Sequence, residues 1–268
     1  MLMTSDRERR CRKVLSIAFL AILLCACGRD AEGEPAGKTP AAGESAAARK
    51  EVLGLLKRST RDNKSFAEAK KRIAALGAPA EKPLISRLAA KDPKERANAV
   101  TFLAAIASKK SIPYFLAKKR DKSHEVRIAA LEALQSFKDP ELIDKIAEAY
   151  LVDEHPSVRD MAVIVLGSFK HEKAVPHMVK ALDDTDEYAR ECARKGLESF
   201  SGVKTDEKKP EAEQNKAWKA WFAEWKKSKE ETEKKEKGKE EIRKTESKSP
   251  SGNVNEEHRE TLRKGRKR

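Results

Sequence analysis

Four segments of the sequence align with one another without gaps, and their spacing constrains the fold more than any other feature. Each segment opens with Arg, followed by Ala three residues on, Leu seven residues on, and Ile or Phe ten residues on. The leading arginines, separated by 31, 32 and 31 residues, are Arg96, Arg127, Arg159 and Arg190. Because positions 0, 3, 7 and 10 share one face of an α-helix, each segment predicts an amphipathic helix. A register kept through four copies predicts an array of stacked repeats.

Proline marks the first turn of a second helix between these segments, where a missing N–H costs nothing. The predicted starting points are Pro83, Pro113, Pro140 and Pro176. Asp92 and Asp139, each directly before a proline, are predicted N-caps. Each unit therefore reads as two helices joined by a turn, and the chain is predicted to be all-α over residues 47–203.

These repeats resemble the HEAT family, in the short bacterial form also found in phycobilisome lyases. The resemblance covers about Asn63–Gly202. It implies a right-handed α-solenoid of helical hairpins, and it says little about function.

The resemblance also implies that the four leading arginines form a structural ladder, each with an acid at the preceding turn. Asp92 and Asp186 lie four residues before the first and the last of these arginines. Ser123 and His155 occupy that position in the middle two repeats, so we expect the ladder to be weaker there. A structural role is favoured over ligand binding.

The first 26 residues have the pattern of an export signal, with a basic head and then the apolar run Val14–Leu24. That run is too short to span a bilayer. The following Leu24-Cys25-Ala26-Cys27 resembles the bacterial lipobox, which implies cleavage between Ala26 and Cys27 and a lipid on the Cys27 thiol. Cys25 competes as acceptor but would put Leu24 where a small residue is needed. An uncleaved anchor is the alternative.

Residues 27–46 are rich in Gly, Pro and Ala and predict a flexible tether with a reach of roughly 20–25 Å. Gly28 follows the acceptor cysteine, in a position where Asp retains enteric-type lipoproteins in the inner membrane. The predicted location is the bacterial cell envelope, and the periplasmic face of the outer membrane if the host has two membranes.

All three tryptophans fall in one segment after the repeats: Trp218, Trp221 and Trp225. Their spacing gives one helix an aromatic face, so residues 204–227 predict a helix that caps the array. The alternative is an exposed helix whose tryptophans bind a partner. Residues 228–268 are mostly charged or polar and predict a solvated helix that fades into disorder.

Sequence motifs for catalysis are missing. Deoxyhypusine hydroxylases, which share this architecture, hold iron with His-Glu pairs inside their inner helices. The pairs here, His124-Glu125 and His171-Glu172, lie at a segment start and in a turn, so no metal and no cofactor is predicted. The chain is 38% charged with a net charge of +14, but acids interleave with the bases, so nucleic acid is an unlikely partner class.

The sequence therefore predicts a membrane-anchored, non-catalytic scaffold that binds another envelope protein. One alternative is a lyase-like or accessory enzyme that uses a groove on the array. Another is a structural link to the cell wall through the basic C-terminal end.

Overall fold

A computed structural model describes residues 42–248, and within this range all regular secondary structure is helical. The α-helices are α1 (Ala42–Ser59), α2 (Asn63–Leu76), α3 (Ala78–Arg87), α4 (Pro93–Ala105), α5 (Ile112–Ala117), α6 (His124–Ser136), α7 (Ile143–Tyr150), α8 (Pro156–Ser168), α9 (Val175–Ala181), α10 (Glu187–Ser201) and α11 (Glu211–Lys248). Short 3₁₀ turns flank α5 and precede α7 and α9. The prediction of an all-α solenoid is confirmed.

The helices form two layers. The longer helices α2, α4, α6, α8 and α10 make a continuous row, since each packs on the next. We call these the row helices. The short helices α3, α5, α7 and α9 lie beside the row, and each packs mainly against the row helix that follows it. The leading arginine is the fourth residue of α4, α6, α8 and α10, so the sequence repeat is the repeat of the structure.

Capping side chains and prolines fix where the row helices begin. Asp92 accepts a hydrogen bond from the backbone N–H of Lys94, and Asp186 accepts one from that of Tyr188. A side-chain oxygen at this position satisfies an amide that has no partner inside the helix. Pro93 occupies the first turn of α4, and Pro156 that of α8.

One predicted helix start is wrong. Pro83 lies inside α3, which begins at Ala78 with Pro79 in its first turn. The reason is Gly77, whose φ of 61° ends α2 and leads directly into α3. Only a residue without a Cβ takes this conformation without strain, so the connection needs a single residue.

The core lies between the row helices and the short helices, and the repeat positions line it. The alanines at position three and the leucines at position seven are all buried, the leucines being Leu103, Leu134, Leu166 and Leu197. The large side chains at position ten are partly buried and pack against this core. The period therefore identifies the inward face in each copy.

Two glycines set the closest approach within the row. A Cβ built on Gly167 of α8 would lie 3.2 Å from the Cα of Gly196 in α10, so the two helix backbones touch there. The Met178 side chain of α9 fills the remaining space beside Gly196. Close helix crossing at this end of the array depends on both residues lacking a side chain.

One predicted segment lies wholly outside the described range, and two others lie partly outside it. Residues 1–26, residues 27–41 of the predicted tether and residues 249–268 of the predicted tail lie outside it. Helix α1 begins at Ala42, inside the predicted tether, and α11 continues past the predicted boundary at 227 to Lys248. Among the helices that the structure describes, none combines the length and apolar character needed to cross a bilayer.

Replacing Leu166 by Ala tests the register of the core. Leu166 is fully buried between the helices, so we expect the substitution to lower the free energy of unfolding by about 2–5 kcal/mol through lost burial and a residual cavity. Urea unfolding followed by circular dichroism measures the effect. Val152→Ala, at a position 71% exposed, is the control and should cost less than about 0.5 kcal/mol. Equal midpoints for both variants would contradict the assignment.

Candidate functional site

The four leading arginines join each row helix to the element that follows it in the array. Arg96 donates two hydrogen bonds to Asp121, at 2.9 Å from Nε and 2.7 Å from Nη2. Arg159 binds both carboxylate oxygens of Asp184 in the same way. Arg127 reaches Asp153 with Nη2 alone, at 2.8 Å. These three partners lie 25 or 26 residues further along the chain, so each contact bridges two repeats.

Each aspartate in the ladder also shapes its own turn. Asp121, Asp153 and Asp184 accept a hydrogen bond from the backbone N–H two residues on, at 3.1, 2.9 and 2.8 Å. Each leading arginine in turn donates from Nη1 to the backbone carbonyl six residues before it. One ion pair therefore fixes a turn, the start of the next row helix and the distance between two repeats.

The predicted ladder partners are wrong. Asp92 and Asp186 cap their own helices, and the acids that receive the arginines stand six residues before the next leading arginine. The expected weakness in the middle is not found at Arg159, which is bidentate. Arg127 is the least exposed of the four at 6%, but it reaches Asp153 with one nitrogen and its buried Nε has no hydrogen-bond partner. Sequence reasoning considered partners within one helix, where neighbours are four residues apart, and missed partners one repeat away.

These contacts hold the carboxylates of Asp121 and Asp184 in their charged form. Burial alone would raise the pKa of Asp121, but hydrogen bonds from Arg96 and from the Ser123 N–H outweigh it, and the pKa is lowered. Burial would likewise raise the pKa of Asp184, but hydrogen bonds from Arg159 and from the Asp186 N–H outweigh it, and this pKa is also lowered. A carboxylate that accepts several hydrogen bonds resists protonation.

The ladder ends on a glutamate of α11. Arg190 binds both oxygens of Glu211, at 2.6 and 3.0 Å, and Arg194 adds a bond of 2.9 Å. The hydrogen bond from Arg190, reinforced by Arg194, lowers the pKa of Glu211 to about 2. Glu211 lies in the first turn of α11, so this cluster fixes where that helix starts against α10.

The tryptophan face of α11 packs against the last repeat. Trp218 is 4% exposed, and its indole N–H donates to Thr205 Oγ1 at 3.0 Å. Trp221 and Trp225 are half-buried, and Trp225 meets Phe200 edge-on with 6.1 Å between ring centroids. The helix therefore covers the end of the array. Trp218 therefore belongs to the core. The alternative of an exposed docking helix required this side chain to be accessible to a partner, and it is not.

The two His-Glu pairs do not converge. His124 stacks on His155 with 3.9 Å between the ring centroids, while His171 accepts a hydrogen bond from the Lys173 N–H. Glu172 pairs with Lys229 of α11. Over residues 42–248, no three His, Cys, Asp or Glu side chains are grouped as a metal site requires. The predicted acyl acceptor Cys27 and its neighbour Ala26 lie outside the described residues.

A groove on the exposed side of the row helices is the candidate binding site. It measures about 180 Å³ and runs across α2, α4 and α6. Most of its lining residues are small, and they are Thr101, Ala104, Ala105, Ala129, Ala133 and Ser136, with Lys70 and Glu132 as the charged members. We call it the alanine groove.

Glu132 is the titratable group of this groove that sequence reasoning missed. Although solvent reaches its side chain, the surrounding apolar walls desolvate the carboxyl and raise its pKa, and only the charge of Lys70 opposes this. The sequence carries one pattern that could have indicated Glu132. Residues five, eight and nine after the leading arginine are small in α4, whereas a glutamate interrupts the pattern in α6.

Comparison with known proteins supports the repeat assignment. A family model for HEAT repeats matches residues 81–159 and 143–212. No curated protein matches the sequence.

Three solved structures are similar to parts of this chain at low identity. The complex of CpcE and CpcF of phycocyanin lyase from Nostoc sp. PCC7120 is 18% identical with a TM-score of 0.48, over 55% of this chain and 98% of that chain. The Pds5-Scc1 complex is 13% identical with a TM-score of 0.47, over 65% of this chain and 32% of that chain. Human deoxyhypusine hydroxylase is 14% identical with a TM-score of 0.28, over 67% of this chain and 98% of that chain. The chain thus spans about a third of the matched chain of the Pds5-Scc1 complex.

Breaking the ion pair between Arg127 and Asp153, the middle rung of the ladder, should lower the free energy of unfolding. Arg127→Met keeps the aliphatic stem but leaves the buried Asp153 carboxylate without its cation, so we expect a loss of about 3–5 kcal/mol in the free energy of unfolding. The double variant with Asp153→Asn added should lose less stability than the two single variants lose in sum. We expect this difference to be about 0.5–3 kcal/mol. Urea unfolding of both single variants and the double variant measures the coupling. Lys145→Met, on an exposed lysine, is the control, and additive costs would contradict the rung.

Glu211 should make the stability of α11 depend on pH. Its pKa is about 2 in the folded chain against an ordinary value of 4.5, so the unfolded chain takes up the proton first as the pH falls. The stabilisation is therefore complete above pH 4.5 and is lost between about 4.5 and 2. Glu211→Gln should lower the urea midpoint, read by tryptophan fluorescence, at pH 6 but much less at pH 3. Glu213→Gln, in the same helical turn, should match the wild type, and a gap for Glu211→Gln that stays constant with pH would refute the assignment.

Proposed function

We propose that this chain, a HEAT-repeat protein over residues 81–212, is a membrane-anchored scaffold that binds another protein of the cell envelope and carries out no reaction itself. The observation that carries the proposal is the alanine groove. It interrupts the charged surface with small side chains, contributed by successive row helices that the arginine ladder holds in register.

The size of the groove supports a protein ligand. Sites for small molecules enclose about 300–1,000 Å³, whereas this groove measures about 180 Å³. That volume suits one or two side chains of a partner segment lying across the row helices. Because Glu132 is poorly solvated there, a partner side chain that donates hydrogen bonds or carries positive charge would compensate its carboxyl.

The hydroxyl groups of the groove support binding over catalysis. Thr101 donates to the Ala97 carbonyl at 3.1 Å, and Ser136 donates to the Ala133 carbonyl at 2.7 Å. Both hydroxyls are thus engaged by their own helix, and a nucleophile needs instead a base at hydrogen-bond distance. The lyase-like alternative would require activated groups that converge on one point, and the groove lining offers one carboxyl and one lysine.

The sequence supports the anchoring part of the proposal. A lipid on Cys27 would be separated from the start of α1 by fourteen residues, which extend to about 50 Å at most. The solenoid would then work close to the membrane surface, where envelope proteins are within reach.

Site-specific crosslinking tests the groove. A photoreactive residue at position 136 should capture one discrete envelope protein, whereas the same residue at position 145, on the opposite layer, should not. Glu132→Trp, which fills the groove, should abolish the capture, and Glu148→Trp on the exposed side of α7 should leave it intact. Equal capture from both positions, or capture that survives Glu132→Trp, would place the partner elsewhere.

Metabolic lipid labelling tests the anchor. Cys27→Ser should abolish incorporation of labelled fatty acid and leave a precursor that retains residues 1–26, because the serine hydroxyl cannot form the thioether. Cys25→Ser, two residues away, should be labelled and cleaved normally. Labelling lost in the Cys25 variant and retained in the Cys27 variant would reverse the assignment.

A further inference from the structure

Charge is unevenly divided along the solenoid. Residues 46–122 contain 20 Lys and Arg and seven Asp and Glu, a formal surplus of +13. Residues 123–203 contain ten Lys and Arg and 16 Asp and Glu, a formal charge of −6. The net charge therefore reverses its sign along one continuous array, and the basic part is the end nearer to Cys27 in sequence.

The basic surplus is concentrated around one short helix. Five exposed cations flank α5, and they are Lys109, Lys110, Lys119, Arg120 and Lys122. Helix α5 has six residues and is about 9 Å long, so its two ends present these charges as one patch. Tyr114, at 42% exposure, is the exposed aromatic side chain on the same helix, since its neighbour Phe115 is buried. We call the five cations and Tyr114 the basic edge.

The cations of the basic edge are not neutralised by the fold. Among the ion pairs of residues 42–248, none involves any of the five. Lys118, which lies between them in sequence, is different, because it pairs with Asp121 and donates to the Leu88 carbonyl. The fold thus uses Lys118 internally and leaves its neighbours to solvent.

The basic edge is a local property and not a feature of every repeat. In the next repeat Val152 and Glu154 are exposed at the corresponding turn, and Glu141 before α7 is paired with Lys173. In the repeat after that, Asp183 and Glu172 are paired with lysines of α11. In residues 123–203 acids outnumber bases, and exposed lysines such as Lys145 of α7 and Lys180 of α9 stand singly in the sequence rather than in a group of five.

We propose that the basic edge binds the anionic headgroups of the bilayer to which the chain is tethered, with Tyr114 at the headgroup level. The inference rests on the anchoring proposed above, because the fourteen residues between a lipidated Cys27 and α1 would hold the solenoid within about 50 Å of lipid. Each basic residue close to an anionic bilayer adds to the attraction, and a tyrosine places its ring in the interface and its hydroxyl in water. Bound in this way, the solenoid has a fixed side towards the membrane.

Vesicle binding of the unlipidated chain tests the proposal. The described residues from Ser45 onward form one compact unit, so a chain that begins at residue 28 keeps the whole solenoid and lacks both the predicted signal segment and the predicted acyl acceptor Cys27. Sedimentation compares vesicles of phosphatidylcholine with equimolar vesicles of phosphatidylcholine and phosphatidylglycerol. We expect binding to the anionic vesicles alone, and loss of that binding as the ionic strength rises.

Charge-matched variants locate the surface. Reversing Lys110, Lys119 and Arg120 to Glu should weaken binding to anionic vesicles by at least about tenfold. Reversing Lys145, Lys180 and Lys216 to Glu changes the net charge equally at exposed sites outside the edge, and should change binding less than about twofold. Circular dichroism and urea midpoints confirm that both variants fold. Tyr114→Ala should weaken binding several-fold, whereas Val152→Ala, also exposed, should not.

Three results would overturn the proposal. Equal loss in both triple variants would assign the binding to overall charge, including the C-terminal residues that all variants share. Absence of vesicle binding would exclude a lipid surface. Tighter binding of a DNA duplex than of anionic vesicles through the same three residues would make nucleic acid the ligand. Because the tested chain has no Cys27, these outcomes do not depend on lipidation, which the labelling experiment measures separately.

Discussion

The contact between a leading arginine and an aspartate of the following repeat is the interaction on which the rest of the array depends. Helix packing alone would let one row helix slide along the next, because small and aliphatic side chains fit in several registers. Asp121 removes that freedom, since it accepts Arg96 from one repeat and the Ser123 N–H of its own turn. A nearly buried, hydrogen-bonded ion pair is costly to break, so it selects one register even where its net stabilisation is modest.

The same interaction defines both ends of the ladder. The position six residues before Arg96 is Ala90, which offers a carbonyl but no carboxylate, so no rung reaches α4 from α2. At the other end Glu211 takes the place of the aspartate, and the closing helix enters the array as one more partner for an arginine. Its tryptophans then cover apolar surface that a following repeat would otherwise bury. Along α11, the cap is thus attached by a charge cluster in the first turn and by an aromatic face further on.

The sequence predicts those features that repeat within one helix and misses those that connect different helices. Leu134 and Leu166 follow from the period, because a position seven residues after the arginine must face inward. The rung between Arg127 and Asp153 does not follow from any single helix, although an Asp six residues before the arginine recurs in three copies. The touching backbones at Gly167 and Gly196, and the extension of α11 to Lys248, have no periodic signal. Glu132 was missed because its environment comes from three helices.

Charged side chains have different roles inside the array and on the surfaces that we propose for binding. The arginines and aspartates of the ladder pair with one another, and their charges hold the repeats together. Two surfaces are proposed to contact other molecules, a groove of small residues across the row helices and a set of unpaired cations around α5. They lie on different layers of the solenoid, since the groove belongs to the row and α5 to the short helices. A rigid array that contacts lipid with its short helices would leave the alanine groove open to a protein partner, so the two proposed contacts do not compete.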